Sequence, residues 1–322
     1  MRYLDCTVAA LVALIIALAP SVVNAQETTM TLRDIRYPST ADNTKQPARF
    51  WAPTTDKPVP LLVVLHTWSA GYRQNFHARC VTHAMKNGWV VILPHFRGPN
   101  NNPKACGSEL AVKDILSAVA YAKENAKVDV KRIYLVGASG GGHASLLMAG
   151  RAPKTWAGVS AWVPISDLKT WYEECSKRKL GYARQIANVC GGPPGTSAKV
   201  DAEYKRRSPL TWLKNAKNVV PLDINAGIHD GHGGSVPISQ SLRAFNVVAE
   251  KADRISDADI AHMTEKAKVP PHLKKKITDA TYGGHVVLFR RRSLKARVTI
   301  FRGGHQIVQP AAMAWLEKQR KD

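Results

Sequence analysis

The sequence contains no C-x-x-C pair, no internal repeat at solenoid periods and no low-complexity stretch. Each absence removes a class. Without paired cysteines at metal-ligand spacing a zinc module is not expected, and without periodicity a repeat solenoid is not either. Acidic residues are also scarce, 24 Asp+Glu against 46 Lys+Arg, for a formal net charge of +22. Such a chain attracts polyanions, but no recognisable nucleic-acid module accompanies the charge, so no nucleic-acid partner is expected. The excess is concentrated late, in Lys274-Lys275-Lys276, Arg290-Arg291-Arg292, Lys295 and Arg297, with only Asp279 opposing it. Solubility on a basic background accounts for this; attraction of an acidic polysaccharide or envelope phosphate is the alternative.

Long apolar runs are lacking as well. The one near the start, residues 9–19, is too short to span a bilayer core of about 30 Å comfortably. With Arg2 ahead of it and Val23-Asn24-Ala25 behind it, it has the form of a cleavable signal peptide over residues 1–25. The expectation is a secreted or periplasmic protein starting at Gln26, with no stable membrane anchor. Cys6 falls in the leader, and Cys80, Cys106, Cys175 and Cys190 remain. An even count in an exported chain favours disulfides, and sequence proximity suggests Cys80–Cys106 and Cys175–Cys190.

What is present reads as one α/β domain over residues 26–322, with 45% hydrophobic and 22% charged residues. Strand patterns occupy residues 30–37, 48–52, 61–65, 89–94, 132–136, 156–163 and 219–226. Helical spacing occupies 110–126, 143–150, 238–251 and 311–321. Residues 285–289 and 296–301 suit a hairpin, and two insertions are expected, about 168–209 and 251–284. Strands alternating with helices imply a mostly parallel sheet with helices on both faces and a small cap.

Gly137-Ala138-Ser139-Gly140-Gly141 stands between a buried strand and a helix, the context of a nucleophile elbow. A serine on that sharp turn is a candidate nucleophile beside a helix N-terminus. A phosphate-binding loop would need a lysine that is missing. Gly303-Gly304-His305 follows the last strand, which makes His305 the candidate base ahead of His285. Asp230 lies just past the strand ending at Ala226 and is the candidate carboxylate ahead of Asp223. The order Ser139, Asp230, His305 is that of α/β-hydrolases. The N–H groups of Gly140 and Trp68, with Thr67 as alternative, are the expected oxyanion donors. Trp171, Tyr172 and Trp212 are candidate substrate-binding aromatics. No cofactor is expected; His229, Asp230 and His232 could be read as metal ligands, but no further cluster joins them.

These segments, with Arg207-Ser208-Pro209 and Val236-Pro237, resemble the catalytic domain of the prolyl oligopeptidase family. Dienelactone-hydrolase-like and acetyl-esterase-like relatives share the pattern. The resemblance implies an α/β-hydrolase fold and a serine hydrolase that forms an acyl-enzyme on a small ester, peptide or carbohydrate-linked substrate. Residues 231–235 make the gap after Asp230 longer than the family's usual spacing. A carbohydrate or acetyl esterase is one alternative; a non-catalytic binder of acidic envelope polymers that keeps the fold is another.

Overall fold

A computed structural model of the chain describes residues 30–322, so the expected leader, residues 1–25, lies outside them. The apolar runs become strands: β1 Arg33–Pro38, β2 Lys45–Trp51, β3 Val59–Leu65, β4 Val90–Pro94, β5 Val128–Ala138, β6 Gly158–Trp162, β7 Leu222–Gly227, β8 Val287–Ser293 and β9 Ala296–Phe301. They form one nine-stranded sheet in the order β1-β2-β4-β3-β5-β6-β7-β9-β8. The strands from β4 to β9 in that order run parallel; β1, β2 and β8 are antiparallel additions at the edges. Central strands such as β4 and β6 are buried along their whole length, as a sheet covered on both faces requires.

The connections decide where the helices go. From β3 the chain passes through α1, Ala78–Lys86, to β4 on one side, then through α2, Glu109–Asn125, back across to β5 on the other. Right-handed crossovers in opposite directions put α1 and α2 on opposite faces. Helix α3, Gly140–Arg151, continues from β5 to β6 in the direction of α2, and α7, Ser239–Val248, packs on β7 and β9 beyond it. The closing helix α9, Gln309–Leu316, packs against α1. Reversal of direction between β3 and β5 is a topological switch point, where the carboxyl ends of the strands open a crevice.

The first insertion is helical: α4 Leu168–Lys177, α5 Tyr182–Cys190 and α6 Ala198–Arg207. It builds a second apolar cluster around Trp68, Ile165, Leu168, Trp171, Ile186 and Tyr204, separate from the core around the sheet. The second insertion carries α8, Asp257–Lys266, capped by Ser256, whose side chain accepts from the Asp259 N–H at 3.1 Å.

The expected disulfides are not formed: Cys80, Cys106, Cys175 and Cys190 are all free and buried. Closeness in sequence misleads for the first pair, because α1 carries Cys80 into the main core while Cys106 joins the cluster under the cap. Burial pushes Cys80, Cys175 and Cys190 up to about 12 and raises Cys106 as well, so these thiols stay protonated and unreactive near neutral pH. Asp223, the second-ranked carboxylate, is buried within β7, where Arg297 Nε donates to it at 2.6 Å and Ser160 Oγ at 3.0 Å. It braces the sheet and cannot serve the crevice.

Candidate active site

Ser139 is the residue at which β5 turns into α3. Its φ of +58° is a conformation that a residue with a side chain adopts only under constraint. Two hydrogen bonds impose it. Ser139 N–H donates to Trp162 O at 2.9 Å, and Ser139 O accepts from His143 N–H at 2.8 Å as α3 begins. The serine therefore stands at a helix N-terminus, where free N–H groups favour negative charge.

The loop after β3 closes on this turn. A Cβ on Gly140 would lie 2.5 Å from Trp68 N and 2.8 Å from Asn100 Nδ2, so only glycine fits. Neither Gly140 N–H nor Trp68 N–H donates to a protein acceptor among the described residues. These are the two donors the sequence assigns to an oxyanion. His66 braces the loop, its ring nitrogens 2.9 Å from the carbonyls of Thr67 and His95 and its ring stacked on Phe96. Burial lowers His66 to about 4, so it is neutral at pH 7 and donates to one of the two carbonyls at a time.

Asn100 is a residue that sequence reasoning misses. It is 1% exposed; its N–H donates to Trp68 O at 2.8 Å and its Oδ1 accepts from Cys106 N–H at 2.9 Å. Its Nδ2, facing Gly140, has no protein partner among the described residues. Nothing in Asn100-Asn101-Asn102 tells which of three asparagines turns inward.

Asp230 sits in the turn after β7 and is 2% exposed. Its Oδ1 accepts from the N–H groups of Gly231 at 3.0 Å and Val236 at 3.2 Å, while Oδ2 lies 2.7 Å from His305 Nδ1. A carboxylate only accepts, so Nδ1 carries the proton and Nε2 is left as a base. Gly234 closes over the pair: a Cβ there would come within 2.1 Å of Asp230 Oδ1 and 2.7 Å of His305 Cβ. Among the described residues no hydrogen bond joins His305 Nε2 to Ser139 Oγ; such contacts are often long before substrate binds. Since β5, β7 and β9 run parallel, Ser139, Asp230 and His305 all emerge at the same sheet edge.

The decoys go elsewhere. His285 Nδ1 faces Arg302 O at 3.1 Å and its Nε2 faces Gln306 at 3.1 Å, with no carboxylate partner among the described residues. His232 turns to Thr264 O at 2.8 Å, away from Asp230. Among the described residues no group of three or more His, Cys, Asp or Glu side chains is arranged to hold a metal.

The aromatic expectations need correction. Trp171 is 1% exposed, packed edge-on against Trp68 at 4.7 Å, and donates from Nε1 to Ser235 O at 3.0 Å. It is cap core and an anchor for the Asp230 loop. Tyr172 packs edge-on against Tyr204, 6.1 Å away, inside the same cap. Trp212 lies at the far end of α3, against Gly150 and 4.5 Å from the Arg151 guanidinium. At about 1.5 Å of rise per residue, that end of the helix is roughly 15 Å or more from Ser139. The cap reaches the site differently: Arg178 Nη2 donates to Gly234 O at 2.7 Å, and Trp68 Nε1 donates to Gln185 Oε1 at 2.7 Å.

Comparison with known proteins agrees with this architecture. The sequence profile of the prolyl oligopeptidase family matches residues 75–265. An uncharacterized peptidase of Bacillus subtilis (strain 168), YtmA, is 30% identical over 157 residues, 48% of this chain and 56% of that protein. Dipeptidyl aminopeptidase BIII of Pseudoxanthomonas mexicana is 27% identical over 208 residues, 59% of this chain and 28% of that one. The chain thus spans little more than half, or less, of the curated relatives it matches. Among solved structures, acylaminoacyl peptidase of Pyrococcus horikoshii superposes with a TM-score of 0.59 at 15% identity, over 90% of this chain and 41% of that one. That likeness establishes the α/β-hydrolase fold.

Proposed function

The chain belongs to the prolyl oligopeptidase family, and from that premise we propose that it is an exported serine peptidase acting through an acyl-enzyme on Ser139. The observation that carries the reading is the Asp230–His305 hydrogen bond at the sheet edge where the Ser139 turn rises. His305 Nε2 takes the hydroxyl proton as Ser139 Oγ attacks the carbonyl carbon of the scissile bond. Gly140 N–H and Trp68 N–H hold the resulting oxyanion, and Asp230 stabilises the imidazolium. The imidazolium then protonates the departing amine, and water, activated by the same histidine, releases the acyl group.

A fluorophosphonate probe tests the assignment, since it reacts only with an activated serine. The full chain should be labelled and Ser139→Ala should not. Turnover of p-nitrophenyl esters, which report the same acyl transfer, should fall in Ser139→Ala by about three orders of magnitude or more. Unchanged turnover in that variant defeats the reading. Proline-terminated peptides set against an aryl-ester panel then separate a peptidase from an esterase. A non-catalytic binder would stay unlabelled throughout.

A further inference from the structure

A groove of about 670 Å³ opens between the second insertion and the start of β8. Val269, Ile277, Val286 and Leu288 give it apolar walls, and Lys268, Lys274, Lys275, Lys276 and Arg302 also line it. Among the described residues no acidic side chain lines it, and none of these cations pairs with a carboxylate. The lysine segment is held against the sheet, because Ile277 bridges to Val287 in antiparallel register.

The groove adjoins the loops of the site along the chain, although Ser139, Asp230 and His305 do not themselves line it. Ile228 and His229 line it and lead directly into Asp230; Arg302 lines it and leads through two glycines to His305. Backbone bonds tie these pieces together: Ile228 N–H to Phe301 O at 2.8 Å, His229 N–H to Gly303 O at 3.0 Å and Arg302 N–H to Val286 O at 2.8 Å. In acyl transfer the histidine hands its proton to the leaving group, so the leaving group departs on the histidine side. That is the side on which the groove lies, away from the oxyanion donors that follow β3.

We propose that this groove holds the leaving half of a peptide substrate and selects leaving segments that combine acidic with apolar residues. This rests on the acyl-transfer reading above and adds a substrate class to it. Unpaired cations attract carboxylates through a salt-screened field, and the apolar walls give a mixed peptide something to bury that a purely polar polyanion lacks.

The test separates this proposal from the reading beneath it by measuring binding without turnover. A fluorescein-labelled peptide alternating Glu and Leu is titrated against full-length Ser139→Ala by anisotropy, alongside a counterpart in which every Glu is Gln. The acidic peptide should bind about tenfold more tightly at low salt, and the advantage should shrink in 0.5 M salt as charges are screened. The triple variant Lys274→Ser, Lys275→Ser, Lys276→Ser should lose that advantage while keeping its affinity for the Gln peptide. Made on the wild-type background, the triple variant should also keep fluorophosphonate labelling of Ser139. Equal affinities, or an advantage that survives the triple variant, overturn the proposal. So does tighter binding of polygalacturonate than of the acidic peptide. With matched cleavable peptides, Glu on the leaving side should raise kcat/KM and Glu on the acyl side should not; the reverse pattern overturns the placement. Absence of any peptide cleavage counts against the peptidase reading, and the binding comparison still decides the groove.

Discussion

Asn100 commits its N–H to Trp68 and its side-chain carbonyl to Cys106, which leaves an amide NH2 against Gly140 with no acceptor among the described residues. Positive hydrogens behind the two N–H groups proposed as oxyanion donors would favour negative charge there. Asn100→Asp preserves shape and the acceptor for Cys106 but reverses the sign of that field. It should lower kcat by about tenfold to a hundredfold with KM nearly unchanged, and the added buried charge should also lower the thermal midpoint. Steady-state kinetics with a melt of the same sample checks this; an unaltered kcat would show that the amide has no bearing on the chemistry. Acid sensitivity is likewise set by single residues. Burial lowers His66 and His143 from 6.5 to about 4 and His77 to about 3. The unfolded chain therefore takes up protons on these groups below about pH 6.5 that the folded chain refuses. Stability is full above that pH and falls as the pH drops from 6.5 toward 4, levelling off below the folded values. Thermal melts between pH 4 and 7 should show the slope, and His143→Gln should flatten it.

Helix α4 and the residue that ends it, Arg178, hold the loop that carries Asp230. Trp171 and Arg178 each donate to a carbonyl in the loop that Asp230 begins, at Ser235 and Gly234. Arg178→Met keeps much of the side-chain packing and removes one tie. It should lower kcat about tenfold through a looser carboxylate while moving the melting midpoint only a few degrees, as kcat and calorimetry would read. The functional use of this element is not legible in sequence, although its existence as an insertion is. Strands β3, β4 and β6 are legible because a continuous apolar run bounded by turns has few other uses. Helix α1 is missed because it carries no acidic first turn and no side-chain cap, and its buried set of Cys80, Val81, Ala84 and Met85 lies among polar residues. The elbow is the most legible piece of the site: its glycines are steric necessities that any sequence with this turn must spell out.

At the scale of the whole molecule, the order of serine, aspartate and histidine along the chain anticipates the sheet edge where they emerge, because strand polarity converts sequence order into position. Contacts between distant segments are not encoded so locally. Hence the separation of Cys80 from Cys106 and the placement of Trp212 at the far end of α3 emerge only on folding. The buried pair Asp223–Arg297 is another long-range feature, joining β7 to β9. Arg297→Ala strands a buried carboxylate and should destabilise the protein by about 3–5 kcal/mol, read from the shift in denaturant midpoint. The double variant with Asp223→Asn should recover part of that loss. The roof of the crevice and its floor also meet in one amino acid, since Trp68 presents a main-chain donor below while its indole is locked to Gln185 and Trp171 above. Exchanging the cap for that of a relative, as a route to new specificity, would therefore disturb the machinery beneath unless the tryptophan and its glutamine travelled with it.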